Sequence, residues 1–195
     1  MAEHKDEVCV CPVCDTSTCG IAFLMFVCDW KLQAFVTKWK VPAEDPTIRL
    51  PLTRGGTFDF CVSWGDGTPD DIVRAWDQAE ASHTYAQAGT YVVRLVGVID
   101  GFSFGEVEKE SKAENVGRDR NKLLAVVQWG NVEFGNEGYY FSNCSQLKSA
   151  SISDAPNLTR TTNLTGMFKN CVCFDGAVEH WNVGQVTNMS CTVHV

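Results

Sequence analysis

Two stretches of the chain have a two-residue periodicity, although only the first alternates apolar with polar side chains, since Val92, Val96 and Val98 stand on the other face of the second. Between residues 57 and 64, and again between 91 and 99, every second side chain is aromatic or aliphatic, with a glycine at one position. A period of two is typical of a strand that buries one face. The pattern therefore predicts two half-buried strands. Their apolar faces are Phe58, Phe60, Val62 and Trp64 in the first, and Tyr91, Val93, Leu95, Gly97 and Ile99 in the second.

Turn-forming residues separate these and neighbouring strands. Gly65-Asp66-Gly67 ends the first strand, since glycine adopts backbone angles closed to other residues and aspartate accepts bonds from nearby amides. Earlier alternation in 35–40 and 48–52 predicts two more strands, and Gly55-Gly56 predicts a hairpin. In the loop over residues 66–82, which follows the first strand, residues 70–81 can form one or two helical turns.

The two main stretches together resemble the polycystic kidney disease (PKD) type domain. That family is an immunoglobulin-like β-sandwich whose signature is W-G-D-G-T followed by H-T-Y-x-x-x-G-T-Y, and both halves stand here in that order. The resemblance implies a PKD-like sandwich over residues 34–104. The signature residues are Trp64, Gly65, Asp66, Gly67, His83, Tyr85, Gly89 and Tyr91.

The C-terminal part of the chain repeats itself. Phe141, Asn143, Cys144 and Leu147 recur 27 residues later as Phe168, Asn170, Cys171 and Phe174. Asn157 and Asn163 recur 25 residues later as Asn182 and Asn188. A period in this range predicts a solenoid in which each unit adds a short strand and a turn or helix.

This repeat resembles that of the BspA-like leucine-rich-repeat surface proteins, in which a PKD-like domain often precedes the repeats. Their unit reads roughly N-M-S-x-M-F-x-x-C-x-x-F-N, then W-(N/D)-V-S-x-V-T-N-M. The resemblance implies about two such repeats over 121–195, incomplete at the C-terminus, where Cys191-Thr192-Val193 stands in place of Gly-Met-Phe. The expected fold is mainly β: an Ig-like β-sandwich followed by a short leucine-rich-repeat-type β/α solenoid.

The remaining segments differ in composition. Residues 1–33 have no clean periodicity and form a cysteine-rich extension, whereas the charged, apolar-poor residues 105–120 predict an exposed linker. Cysteines at 9–19 are candidates for zinc, although zinc sites usually combine two separated C-x-x-C pairs. Disulfides, unpaired thiols or a wrongly assigned start codon are the alternatives. These zinc candidates are Cys9, Cys11, Cys14 and Cys19.

The net charge of −8 argues against nucleic acid or an anionic membrane as the main partner, since either favours a basic surface. No apolar run approaches the roughly 20 residues that span a bilayer. The N-terminus is a poor signal peptide because acidic residues precede its short apolar run. An extracellular or cell-surface location is therefore implied by the family resemblance alone.

Two candidate sites lie near the first turn. Asp66, Asp70 and Asp71 can supply oxygen ligands to calcium, but their spacing matches no dedicated calcium loop and Asp66 is explained as a turn residue. Ser63, His83 and Asp66 include the residue types of a hydrolase triad, but Ser63 lacks a strand-to-helix elbow. We therefore predict no catalytic site and no required cofactor.

Two further features of the sequence have alternative interpretations. Four N-glycosylation patterns lie in the repeats, but the repeat itself requires asparagine before Ser or Thr. They begin at Asn143, Asn157, Asn163 and Asn188. Trp39, Trp64, Trp129 and Trp181 can form an aromatic sugar-binding strip if several of their rings are exposed and coplanar. Trp64 and Trp181 are expected in the core instead, because Trp64 alternates inward and Trp181 recurs at a repeat position.

These observations favour a non-enzymatic, surface-associated binding or adhesion protein. The repeats would present a face to a protein or glycan partner on a cell surface or matrix, a step that rests on family analogy. Two alternatives remain open. One is an accessory module that positions substrate for a secreted hydrolase. The other is an intracellular scaffold with a zinc-bound N-terminal cysteine cluster.

Overall fold

The computed structural model describes residues 34–105, 119–149 and 154–194, and all of them belong to one compact unit, Gln33–Val195. The predicted cysteine-rich extension over 1–33 lies outside the described residues, as do residues 106–118 of the predicted linker.

A six-stranded sheet forms the framework of the described fold. Its strands are β1 (Phe35–Val41), β3 (Leu52–Ser63), β4 (Asp71–Val73), β6 (Gly89–Phe102), β7 (Leu123–Gln128) and β8 (Lys148–Ser149). They lie in the order β4-β3-β6-β1-β7-β8, antiparallel except for the parallel pair β7–β8. The prediction of a mainly β protein is confirmed.

Two smaller sheets complete the strand inventory of the described residues. β2 (Thr47–Arg49) pairs antiparallel with β5 (Ser82–Thr84), and β9 (Phe168–Lys169) pairs parallel with β10 (Val193–His194). Single 3₁₀ turns occupy Ala79–Ala81 and Arg120–Lys122.

The two strands predicted from the two-residue periodicity are neighbours in the main sheet. β3 and β6 pair antiparallel, with Phe60 opposite Gly97 and Val62 opposite Leu95. Phe58, Phe60 and Val62 are buried while Thr57 and Asp59 are exposed, because successive strand side chains point to opposite faces. The predicted faces are therefore the observed ones.

Of two local predictions around these strands, one is wrong and the other is confirmed in part. Gly55-Gly56 does not form a hairpin: β3 runs through both glycines, and its register with β6 shifts between Leu52 and Thr57. A side chain at Gly56 would lie 2.4 Å from the Asp100 carbonyl, so the glycine allows close strand approach. Helical geometry in residues 70–81 is limited to Ala79–Ala81, because Asp71–Val73 pairs with β3.

One hydrophobic core joins the residues before and after the predicted linker. Phe35 on β1 packs edge-on against Phe102 on β6, with ring centroids 4.9 Å apart. Phe141 lies 5.9 Å from Phe102 on one side and 5.7 Å from Phe168 on the other. Such aromatic pairs add about 1 kcal/mol each beyond area burial. The repeats therefore pack directly against the sheet.

The end of the predicted linker is buried rather than exposed. Arg120 donates to the carbonyls of Phe104, just before the linker, of Gly105, its first residue, and of Ser142, beyond its end. Lys122 Nζ lies 2.7 Å from Asp119 and 2.8 Å from Asp45. Burial of Asp119, Arg120 and Lys122 is tolerated because each has close polar partners. The local run of charged residues does not predict this burial.

Among the described residues, no helix is long and apolar enough to cross a membrane.

Candidate functional site

The turn after β3 depends on two glycines. Gly65 and Gly67 have φ angles of +81° and +85°, a region that side chains disfavour. A Cβ at Gly65 would lie 2.4 Å from the Val92 carbonyl oxygen, whereas a Cβ at Gly67 would meet nothing within 4 Å. Gly65 therefore also permits close approach of the turn to β6.

Asp66 holds this turn to the strand that carries the second half of the signature. One carboxylate oxygen accepts bonds from the Thr68 amide at 3.1 Å and the Thr68 hydroxyl at 2.6 Å. The other lies 2.7 Å from His83 Nε2. Burial raises the pKa of Asp66, but the bonds from Thr68 and His83 outweigh it and lower the pKa to about 2.

The aromatic members of the signature stack behind this carboxylate. The His83 ring lies parallel to Trp64, with centroids 5.0 Å apart, and edge-on to Tyr85 at 4.6 Å. The Tyr85 hydroxyl donates to the Trp64 carbonyl at 3.0 Å, and its ring stacks on Tyr91 at 4.1 Å. Burial raises the pKa of Tyr85, with Asp66 and Tyr91 adding to the effect. These aromatic side chains thus connect the ends of β3, β5 and β6.

The candidate calcium ligands are separately engaged. Asp71 accepts a bond from Trp64 Nε1 at 2.9 Å, and Asp70 accepts a weak bond from Cys61 Sγ at 3.7 Å. Across 34–105, 119–149 and 154–194, no three His, Cys, Asp or Glu residues are grouped so that they could hold a metal ion. The zinc candidates Cys9, Cys11, Cys14 and Cys19 lie outside the described residues.

The hydrolase triad is only partly assembled. His83 and Asp66 are bonded, but in the described part of the chain Ser63 makes no hydrogen bond to His83. Ser63 lies at the end of β3, where it pairs with Arg94 of β6. The arrangement therefore lacks the nucleophile–base contact that such chemistry requires.

The repeats are joined by a regular ladder of backbone hydrogen bonds. The amides of Tyr139, Phe141 and Asn143 donate to the carbonyls of Thr165, Met167 and Lys169 at 2.7–2.9 Å. Those of Leu164, Gly166 and Phe168 donate in the same way to Asn188, Ser190 and Thr192 at 2.7–2.9 Å. Three successive segments of the chain therefore stack side by side.

Corresponding corners of the three segments share one backbone conformation. Tyr139, Gly166 and Cys191 have φ angles of +55°, +61° and +52°, and Asn143 and Asn170 have +61° and +60°. Asparagine tolerates this left-handed region better than most residues. The repeat thus keeps one backbone conformation at a position that Tyr, Gly and Cys occupy in successive segments.

Rows of asparagine side chains add hydrogen bonds between stacked segments. Asn136 Oδ1 accepts bonds from the Thr162 amide at 2.6 Å and hydroxyl at 2.8 Å, and Asn163 Nδ2 donates to the Asn136 carbonyl at 3.1 Å. Asn157 Nδ2 donates to Asn131 at 3.1 Å. These bonds link the first segment to the second.

The glycosylation candidates belong to this network. The Oδ1 atoms of Asn157, Asn163 and Asn188 each accept the amide two residues later, at 3.2, 2.9 and 3.1 Å. Nδ2 of Asn143 donates to Ser142 Oγ at 2.7 Å. The turn chemistry of asparagine thus accounts for the recurring pattern. Asn188 is exposed, and its Nδ2 has no acceptor among the described residues.

An exposed polar surface lies along these rows. We call it the asparagine face and define it by Asn131, Asn136, Thr159, Thr162, Thr187 and Asn188, all of which are exposed. Beside it, Arg160 bonds Glu133 at 2.6 Å and Asp100 at 2.7 Å, which connects the face to the end of β6. The sequence showed that asparagines recur, but it did not show that Asn131, Asn136 and Asn188 lie with threonines on one exposed surface.

The four tryptophans do not form an exposed strip. Trp39, Trp64, Trp129 and Trp181 are all buried. Trp129 and Trp181 meet edge-on, with an interplanar angle of 85°. Their rings are core components and offer no coplanar platform for a sugar.

Comparison with known proteins gives one partial match. A family model described as "Mycoplasma protein of unknown function, DUF285" matches residues 136–194, which is less than half of the chain. The matched range contains the backbone ladder and most of the asparagine face. No curated protein and no solved structure matches the chain.

Proposed function

We propose that this protein is a non-enzymatic, surface-associated binding or adhesion protein. In this proposal the asparagine face meets a protein or glycan partner on a cell surface or matrix. The observation that carries the proposal is the row of exposed Asn and Thr side chains repeated across three stacked segments. The expected location is extracellular or at the cell surface.

The proposal includes a finer fold assignment: a PKD-like sandwich over 34–104 and BspA-like leucine-rich repeats over 121–195. The Asp66–His83 bond and the stacked ring of His83 support the first part, since they give the signature residues a joint structural role. The backbone ladder and the recurring left-handed corners support the second part.

The proposed mechanism is display of a rigid surface. Neighbouring strands lie about 4.8 Å apart, so stacked segments repeat their side chains at that interval. Asn and Thr supply both donors and acceptors, which suit hydroxyl-rich glycans and polar peptide segments. Because the segments share a core with the main sheet, the face loses little conformational entropy on binding.

The test is a binding measurement on a glycan array and on a panel of purified matrix proteins. Thr162→Lys places a large side chain on the asparagine face, and Thr90→Lys makes the same change at an exposed position of β6. We expect at least about tenfold weaker binding for the first variant, or about 1.4 kcal/mol, and no change for the second. Absence of binding, or equal loss in both variants, would reject the proposal.

A further inference from the structure

Four cationic side chains lie on one face of the main sheet. Lys38 and Lys40 on β1, Arg94 on β6 and Lys148 on β8 are all exposed. Trp39, between the two lysines, is buried on the opposite face. The four cations therefore lie on the side of the sheet away from the hydrophobic core. We call this surface the basic face and define it by these four residues.

The strand pairing brings members of the basic face close together. Lys38 is opposite Val92 of β6 and Ala125 of β7, and Ala125 is in turn opposite Lys148. Arg94, two residues beyond Val92, is therefore a diagonal neighbour of Lys38 at about 7–8 Å. Lys148 is two strands from Lys38, at about 10 Å. The basic face is thus a cluster in space whose members are distant in the sequence.

The side chains of the basic face are also the cations that have no partner in the protein. Within 34–105, 119–149 and 154–194, none of the four makes a hydrogen bond, an ion pair or a ring contact. Every other lysine or arginine in those ranges has a partner: a carboxylate for Arg74, Lys122 and Arg160, a carbonyl for Arg49 and Arg120, a tyrosine ring for Lys169, and a further contact for Arg54. The described fold therefore leaves unpaired only those cations that share one face.

The basic face differs in charge from the chain as a whole. The net charge of the chain is −8, but β1, β7 and β8 contain no Asp or Glu, and β6 contains none before Asp100. Cations without a counter-ion attract an anionic partner most strongly where no acidic side chain competes. Charge complementarity therefore points to a polyanion.

The surroundings of the cations distinguish among polyanions. Single-stranded nucleic acids are bound largely by stacking on aromatic rings, but Val92 and Ala125, which lie between the cations, are aliphatic. An anionic membrane is an extended surface, which would also meet the acidic remainder of the molecule and repel it within about 8 Å. A narrow chain can follow the basic face alone.

Two kinds of narrow polyanion differ in the entropy that they lose on binding. An acidic polypeptide is flexible and loses much conformational entropy when it is held in one conformation. A chain of sugar rings is stiffer, so it loses less. The basic face therefore suits a polysaccharide that carries sulfate or carboxylate groups.

We propose that the basic face binds an anionic polysaccharide. Its lysines and its arginine donate charge-assisted hydrogen bonds to sulfate or carboxylate groups along the chain. This inference goes beyond the proposed function, because the basic face shares no residue with the asparagine face. It does not depend on the ligand of the asparagine face.

The test is isothermal titration calorimetry of the full chain with two polysaccharides, at about 0.05 M and about 0.5 M salt. Heparin carries sulfate and carboxylate groups, whereas polygalacturonate carries carboxylate groups alone. We expect binding at low salt that weakens at high salt, because salt screens exposed charges. Binding of both supports the proposal with carboxylate as a sufficient group, and binding of heparin alone supports it with sulfate as the required group.

Paired variants locate the contact. The double variant Lys38→Gln, Arg94→Gln should bind at least about tenfold more weakly. The matched control Arg74→Gln, Lys169→Gln removes the same charge outside the basic face, and it should bind like the unmodified chain. Arg94→Lys keeps the charge and should also bind like the unmodified chain.

Several results would overturn the proposal. One is the absence of binding to either polysaccharide at low salt. Another is an equal loss in the two double variants, because the net charge of the molecule would then explain it. Tighter binding of polyglutamate, of a single-stranded oligonucleotide or of phosphatidylserine vesicles than of both polysaccharides would also overturn it, because the partner would then belong to another class.

Discussion

At the scale of single residues, Asp66 shows how one carboxylate can organise a signature motif. Its two oxygens bond different partners: Thr68 two residues away and His83 on the strand beyond the loop. The local bond closes the turn, and the distant bond fixes where the turn lies against the aromatic stack. Asp66 therefore has a structural role, which explains why an aspartate occupies this position without invoking a metal ion.

We predict that Asp66→Asn removes a pH-dependent part of the stability. Because the pKa falls from 3.8 to about 2 on folding, the carboxylate's contribution is fully present above about pH 4 and is lost as pH falls through about 2. The stability difference between the unmodified chain and the variant should shrink by ~2 kcal/mol over that range. Urea unfolding at a series of pH values from 5 to 2 measures it.

Thr68→Val serves as the companion variant for this experiment. It keeps the carboxylate but removes the hydroxyl that donates at 2.6 Å, so the pH-dependent part should become smaller without disappearing. A difference between Asp66→Asn and the unmodified chain that stays constant from pH 5 to pH 2 would show that folding does not lower this pKa.

At the scale of elements, the turn after β3 contains two glycines with different physical requirements. Gly65→Ala must accommodate both a positive φ and a Cβ 2.4 Å from a backbone oxygen, whereas Gly67→Ala has only the φ cost. We expect Gly67→Ala to destabilise by ~1 kcal/mol and Gly65→Ala by ~2 kcal/mol more. Chemical denaturation of both variants measures the two losses of stability. Equal losses would mean that Val92 moves away freely.

The elements that the sequence predicted are those whose signal is local. The alternation of Phe58, Phe60 and Val62 fixes a strand and its buried face, because a slip of one residue would expose all of them. The repeat of Asn157 and Asn163 likewise marked equivalent turns. These features could be found because each residue's role depends on its near neighbours in the chain.

The elements that the sequence misassigned depend on distant partners. Gly55-Gly56 predicts a hairpin by its local signal, but both glycines lie inside β3, and Gly56 is so close to Asp100 of β6 that a Cβ there would lie 2.4 Å from the carbonyl oxygen. Arg120 belongs to a charged stretch, but carbonyls at 104, 105 and 142 make its burial favourable.

At the scale of the whole molecule, sheet and repeats form one core in spite of their different sequence patterns. β7 follows the predicted linker but pairs with β1, and Phe141 in the first stacked segment packs on Phe102 and Phe104 of the preceding part. An interface of this kind couples the stability of its two sides. We therefore expect residues 34–194 to unfold together.

Arg120 tests that coupling because its guanidinium bonds the carbonyl of Phe104, before the linker, and that of Ser142, after it. Arg120→Met removes the donors and leaves buried carbonyls unpaired, so it should destabilise by ~3 kcal/mol while unfolding stays a single transition. Arg74→Met breaks only an exposed pair with Asp59 and should cost less than ~1 kcal/mol. Urea unfolding followed by tryptophan fluorescence and far-UV circular dichroism measures the stability losses and the number of transitions. Two separated transitions in the unmodified chain would contradict the coupling. A loss for Arg120→Met as small as that for Arg74→Met would show that Arg120 does not hold the two parts together.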